Sequence, residues 1–270
     1  MSKRSEDVAN GPVAASGFRA AAHAGRLLAG TWLSLGHADV AEIAALSGFD
    51  WLLIDHEHGV CDWRDLQHQL QAIDAGGGTA SIVRVAAIDA VDFKRVLDLG
   101  ATGLMIPDVR SAEAAQRIVD HARVPPLGRR GVATSTRNTR YGLAYQAHVA
   151  TINQELVLMA QIESQAAIDA LESIAAVDGI DVLFVGPTDL GIDLGLDPAH
   201  PEAPAYVRVL THIAEVARRH GKAAGILARN ASQAADFRRL GYGVIALGSD
   251  RGALAQGMRS NAGALRTLVE

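Results

Sequence analysis

The chain has 270 residues, 49% hydrophobic and 20% charged, with 30 acidic against 25 basic side chains and a formal charge of −5. That balance excludes disorder, which needs few apolar residues and a large net charge, and it excludes a nucleic-acid binder with a broad basic face. No apolar run approaches the roughly 20 residues of a membrane helix; the polar MSKRSEDVANG lacks a signal-peptide core and the lone Cys61 cannot form an internal disulfide, so a cytoplasmic protein with no membrane partner is expected.

Residues 1–17, charged and then rich in Gly, Pro, Ala and Ser, read as a mobile leader, and 18–270 as one folded domain. Short apolar runs follow in order: GTWLSL (30–35), WLLID (51–55), ASIVRV (80–85), GLMIP (103–107), LVLMAQI (156–162), VLFVG (182–186), AAGILA (223–228) and GVIALG (243–248). Segments of helical spacing separate them, such as ADVAEIAAL (38–46) and SAEAAQRIVDHA (111–122). Uniformly apolar runs mark strands buried on both faces, as in a parallel sheet. Eight runs are what a (β/α)8 TIM barrel requires. Gly48, Gly100, Gly179 and Gly241 each end a helix and lead into a strand, a weak repeat of the same unit. A doubly wound open sheet is the competing fold, but no GxGxxG follows the first strand.

In a barrel the chemistry sits at the carboxyl ends of the strands. Run two ends in Asp55-His56-Glu57-His58-Gly59, run three near Arg84, and run four in Pro107-Asp108. Run five ends in Gln161-Ile162-Glu163, run six in Gly186-Pro187-Thr188-Asp189, run seven in Arg229-Asn230 and run eight in Ser249-Asp250. Helix capping accounts for Asp108, Ser249 and Asp250. Glu163 and Asp189 follow fully apolar runs, where a carboxylate is partly buried and costly unless paired or metal-bound. With no clustered cysteines, two adjacent carboxylates suit a hard divalent cation with open positions, against the alternative of a structural salt bridge.

His56 and His58 form the His-x-His that opens an amidohydrolase-type metal site. The other eight histidines (23, 37, 68, 121, 148, 200, 212, 220) fall on expected helices or loops, which weakens that reading. The lysines are Lys3, Lys94 and Lys222, none at the catalytic rim, so a Schiff-base aldolase has no nucleophile. Carbon–carbon chemistry beside a carbonyl then needs a metal as electron sink.

The segments GFDWLLIDHEHG (48–59), IVRV (82–85), LDLGATGLMIPDV (97–109), PPLGRRGV (125–132), QIES (161–164), GPTDLGIDLG (186–195), GKAAGILA (221–228) and VIALGSD (244–250) together resemble the HpcH/HpaI family of metal-dependent (class II) pyruvate aldolases. The resemblance covers about residues 18–265. It implies a TIM barrel whose last helix is exchanged between subunits, and a homohexamer built as a trimer of dimers. It implies Glu163 and Asp189 as metal ligands for Mg2+, Mn2+ or Co2+, with Zn2+ a further option. Arg84 matches the arginine that holds the pyruvate keto oxygen, His58 the catalytic histidine, and Asp98 the aspartate paired with it. Asp55 matches a further catalytic acid and Gln161 a substrate-side glutamine. Gly186, Pro187, Thr188, Asp189 and Leu227 complete the substrate pocket, with the Thr188 and Asp189 amides on the pyruvate carboxylate.

The implied reaction cleaves a 4-hydroxy-2-oxo acid to pyruvate, or a related 2-oxo acid such as hydroxypyruvate, plus an aldehyde. His56, Val60-Cys61 and Gly191 depart from the family pattern and lie on the aldehyde side of the site. The rival enzyme class is a citramalyl- or malyl-CoA-type lyase, which also uses a Glu/Asp metal pair. A barrel that binds a keto acid without turnover is the non-enzymatic alternative.

Overall fold

Eight parallel strands pair in chain order and close β8 onto β1 in the computed structural model, which describes residues 13–267. They are β1 (Leu28–Leu33), β2 (Trp51–Asp55), β3 (Ala80–Arg84), β4 (Gly103–Ile106), β5 (Val157–Ile162), β6 (Val182–Val185), β7 (Ala223–Ala228) and β8 (Val244–Ser249). Each coincides, to within two residues, with the apolar run that announces it. The helices are α1 (Phe18–His23), α2 (Ala38–Leu46), α3 (Trp63–Ala75), α4 (Ala90–Asp98), α5 (Ala112–Ala122), α6 (Tyr145–Glu155), α7 (Gln165–Asp169), α8 (Leu171–Ala175), α9 (Pro187–Asp193), α10 (Pro204–Arg219), α11 (Ala231–Arg239) and α12 (Asp250–Arg266). Gly48, Gly100, Gly179 and Gly241 hold φ of 87°, 94°, 99° and 102°, the left-handed conformation that stops a helix at no steric cost in glycine alone.

Because successive strand side chains point to opposite faces, the apolar runs build two cores. Inside the barrel lie Trp32, Leu53, Ile82, Met105, Met159 and Phe184, stacked above Trp51 and Val244. Gly30 and Gly225 leave room there: a Cβ on either would overlap the Trp51 or Phe184 ring. The outward residues, such as Leu52, Val83, Leu104, Leu158, Leu183 and Ile226, meet the helices in a second, larger core. At roughly 1.5–3 kcal/mol for each fully buried large apolar side chain, these two shells carry most of the favourable folding energy.

The amino-terminal end of the barrel is closed by polar anchoring. Asp50 accepts from the Val13 amide (2.7 Å) and the Ala29 amide (2.8 Å). Asp181, wholly buried, accepts from Arg19 Nε (2.7 Å), Arg123 Nη2 (3.1 Å) and the Leu158 amide (2.9 Å), and contacts His23 Nε2 at 3.0 Å. Of the segment read as a leader, residues 1–12 lie outside the described residues, whereas Val13 is buried and residues 15–17 form a 3-10 turn under the barrel. Among the described residues no helix is long and apolar enough to cross a membrane.

The last helix departs from the pattern. No residue of α12 is buried, and Leu254, Met258 and Leu265 are 51%, 63% and 67% exposed. An apolar groove of about 970 Å³, lined by Leu33, Val40, Ile43, Leu247, Leu254 and Met258, runs between α12 and α2.

Candidate active site

The barrel register sets the first pair. Asp55 ends β2, Arg84 ends β3, and the two are direct partners across the strands. Arg84 Nε and Nη2 donate to Asp55 Oδ1 and Oδ2 at 2.9 and 2.8 Å, a bidentate arrangement that fixes the guanidinium plane. The guanidinium carbon sits 5.5 Å from the centre of the Trp32 ring, at the top of the inner core. Burial alone raises the Asp55 carboxyl, but Arg84 and the His58 and Glu57 amides outweigh it and hold the group below the usual carboxylate range.

Asp55 also shapes the turn that follows. Its Oδ1 accepts from the amides of Glu57 (3.2 Å) and His58 (3.1 Å). Gly59 closes this turn against the Asp55 carbonyl, where any Cβ would overlap the oxygen. Glu57 is thereby folded back over Arg84, its Oε2 3.0 Å from Nη1. Burial, with the charges of Asp55 and Asp189, raises the Glu57 carboxyl despite the opposing pull of Arg84 and His58.

Across the rim, Glu163 Oε1 accepts from the Asp108 amide (2.8 Å) and Oε2 from Gln161 Nε2 (2.9 Å). Burial pushes the Glu163 carboxyl up to about 7; the Asp108 amide works against that, and the charges of Asp189 and Glu57 add to it. Gly186 lets the carboxylate lie where it does, since a Cβ there would overlap Oε2. Asp189 stands in the first turn of α9, next to Thr188, where backbone amides lack intrahelical acceptors. The expectation that both carboxylates are partly buried holds for Glu163 only. Asp189 is exposed, because Pro187 starts the helix at once and carries Asp189 above the strand ends. Leu227 packs partly buried on the inner core.

These residues fit a divalent metal. Two oxygen donors of the hard type face each other's charge, and a cation between them would offset both that repulsion and the burial that raises the Glu163 carboxyl. Gln161 Oε1 is buried with no partner beside them. Among the described residues no three His, Cys, Asp or Glu side chains gather on one metal-sized point. A cation held by Glu163 and Asp189 would therefore keep positions for substrate oxygens and water.

Other sequence expectations fare differently. His58 stands at the mouth, its side chain 72% exposed, with Glu57 Oε2 3.9 Å from Nε2. Asp98 is not beside it. Because α4 runs antiparallel to β3, its last residue lies at the far end of the barrel wall. There Asp98 Oδ1 is buried 3.9 Å from Arg130 Nη1. His56 packs on the Trp63 ring (4.7 Å between centroids) rather than joining a histidine cluster. Ser249 caps α12 as expected, whereas Asp250 accepts from the Ser34 and Leu35 amides (3.0 and 2.9 Å) and Asp108 presents its own amide to Glu163. Lys94 lies on α4, and Lys222 Nζ donates to the Val177 carbonyl (3.1 Å) at the amino end. The residue that sequence reasoning passed over is Glu57. Its signal, a third acid within the strand-end DHEHG, was present but read only for its histidines.

The model of the HpcH/HpaI aldolase/citrate lyase family matches residues 28–256. A 4-hydroxy-2-oxovalerate aldolase of Novosphingobium aromaticivorans is 43% identical over 240 residues, 89% of this chain and 90% of that one. A hydroxypyruvate/pyruvate aldolase of Chromohalobacter salexigens is 42% identical, covering 84% of this chain and 89% of its own. A crystal structure of a HpcH/HpaI aldolase/citrate lyase family protein from Burkholderia cenocepacia superimposes with a TM-score of 0.87 at 35% identity, over 93% of this chain and 99% of that one. With the family model, the relatives' sequences and the fold in agreement over nearly the whole barrel, this chain belongs to the HpcH/HpaI aldolase/citrate lyase family.

Proposed function

We propose that the chain is a class II aldolase that cleaves 4-hydroxy-2-oxo acids to pyruvate, or to a 2-oxo acid such as hydroxypyruvate, plus an aldehyde, and runs the reverse addition. The observation that carries this reading is the facing of a clamped arginine, Arg84, and a carboxylate pair, Glu163 and Asp189, across a rim that holds no lysine among the described residues. The curated relatives named above are aldolases, which favours this reading over a CoA-thioester lyase.

The family generally depends on a divalent metal; here Glu163 and Asp189 would hold Mg2+, Mn2+ or Co2+. When bound, the ion supplies the electron sink for the carbanion left by C3–C4 cleavage. Arg84 has five N–H donors. Two are on Asp55 and Nη1 faces Glu57, so the fork keeps donors for the substrate keto oxygen. The Thr188 and Asp189 amides receive the 2-oxo acid carboxylate at the start of α9, Gln161 Oε1 accepts from the substrate side, and Gly186, Pro187 and Leu227 form the wall. His58 takes the C4 hydroxyl proton as general base. Asp55 acts by holding Arg84. Asp98 lies far from His58 in one chain, so a pairing between them joins two chains.

The same reading includes the assembly. An α12 with no buried residue beside an apolar groove supports exchange of that helix between two copies, in a hexamer of three such dimers. Light scattering on the eluting protein gives the mass. The activity itself is tested by pyruvate release from a panel of 4-hydroxy-2-oxo acids with and without Mn2+. Release that depends on the metal is expected, and a panel that yields no 2-oxo acid at all would overturn the reading.

A further inference from the structure

Glu163 and Asp189 are held in opposite ways. The Asp108 amide and Gln161 Nε2 grip the Glu163 carboxylate, in the room that Gly186 leaves for it. Asp189 is exposed, and among the described residues no hydrogen bond or ion pair holds its carboxylate. An acid with nothing on its side chain takes its place from the backbone beneath it. That backbone is the first turn of α9, which starts straight after β6 with Pro187 and has no side-chain cap on Gly186.

What braces this turn is Tyr206. It stands near the start of α10, wholly buried, and its hydroxyl donates to the Pro187 carbonyl. The Gly191 amide faces the same oxygen. Pro187 and Gly191 lie four residues apart with Thr188 and Asp189 between them, so one hydroxyl spans the turn that carries the acid. Burial pushes the phenol up to about 12, which keeps it neutral and its proton available to the carbonyl. Resting on the reading of Glu163 and Asp189 as metal ligands, we propose that Tyr206 is the positioning residue for Asp189: its buried hydroxyl holds the Pro187–Gly191 turn and so sets where the exposed carboxylate meets the ion. The ring belongs to the outer core and is fixed there by close packing. The hydroxyl passes that rigidity to a helix of only seven residues. Without it the Pro187 carbonyl loses a donor, and the turn is free to shift.

The test is a Mn2+ titration of metal-free protein, followed by the electron paramagnetic resonance signal of the free ion, which needs no turnover. Tyr206→Phe keeps the ring and deletes the hydroxyl. Its Kd for Mn2+ should rise about tenfold or more, the scale for lost support of a ligand. The Mn2+ concentration that gives half-maximal pyruvate release should rise in step. Tyr242→Phe is the comparison: that hydroxyl, also buried, donates to the Leu210 carbonyl at 2.9 Å, one turn further along α10, and does not hold α9. Each variant loses one buried hydrogen bond, so both metal-free proteins should melt a similar few degrees lower. Only Tyr206→Phe should lose metal affinity, with Tyr242→Phe within about twofold of the unaltered protein. A Tyr206→Phe Kd within about twofold of the unaltered value, or an equal rise in the two variants, would overturn the assignment. Unaltered protein that binds no Mn2+ sinks the metal-site reading itself, an outcome read before any variant is compared.

Discussion

Asp55 and Arg84 are neighbours in register at the ends of β2 and β3, and two hydrogen bonds of 2.9 and 2.8 Å lock one carboxylate to one edge of the guanidinium. The backbone ladder thus aims the arginine, with little left to side-chain freedom. Arg84→Lys keeps the charge and loses the planar fork, so it cannot satisfy both Asp55 oxygens while facing Glu57 and a keto oxygen. We expect kcat/KM to fall about 10²-fold, the scale of one lost oxyanion donor, with the protein still folded by circular dichroism. Turnover equal to that of the unaltered protein would show that charge alone suffices.

His58→Ala removes the base and leaves the carboxylate pair intact. Cleavage should drop about 10²- to 10⁴-fold while Mn2+ binding, followed by calorimetry, is unchanged. A variant that keeps near-normal cleavage takes His58 out of the reaction. Asp98→Asn should slow the reaction less, since in a pairing that joins two chains Asp98 orients the base and does not itself take the proton.

Gly186 offers a test of the metal pair that leaves its ligands unaltered. Its backbone, at φ −87°, accepts any residue, yet a Cβ there overlaps Glu163 Oε2. Gly186→Ala should push the carboxylate aside and weaken Mn2+ binding about tenfold or more, on the scale of lost support for a ligand. Thermal stability should change little, because the position is at the rim and outside both cores. Unchanged metal affinity would mean that Glu163 does not hold the ion in this orientation.

At the other end of the barrel, His23 gives a pH signature. Its hydrogen bond to Asp181 raises its pKa above 6.5, with burial opposing and the Gly221 carbonyl and the Asp181 charge assisting. A group whose folded pKa is raised contributes its stability fully below the unfolded value and loses it as pH climbs through the folded one. Melting temperature should therefore decline from about pH 6.5 upward, and His23→Gln should flatten that decline. Calorimetric scans of both proteins across this range decide it. A parallel decline in the two would assign the pH dependence elsewhere.

How far the sequence carries the account depends on where each signal resides. The strands were legible because a closed parallel barrel buries both faces, so each strand is written as a mostly apolar run such as 51–54 or Val182–Val185. Arg84, Asp55 and Glu163 were legible because those runs take up charge only at or just past their carboxyl ends. Glu57 was not, since its place over Arg84 depends on a turn built by Asp55 Oδ1 and Gly59. The cluster of Arg19, His23, Arg123 and Asp181 joins residues as many as 162 positions apart, and nothing local announces it. That Asp98 does not meet His58 within one chain is likewise a matter of direction: a helix that returns along its strand takes its last residue away from the rim.

The central claim is that metal, and not a lysine, serves as the electron sink. Lys94 and Lys222 both lie off the rim, and Lys3 is outside the described residues. The most direct measurement is pyruvate release after exhaustive chelation, paired with the intact mass after borohydride treatment in the presence of pyruvate. Chelation should abolish release, and Mg2+, Mn2+ or Co2+ should each restore it at a different rate, with no mass added by borohydride. Glu163→Ala or Asp189→Ala should fold normally and resist that restoration. A covalent pyruvate adduct, or full activity in the chelated protein, would contradict the metal mechanism and the roles assigned to Glu163 and Asp189 with it.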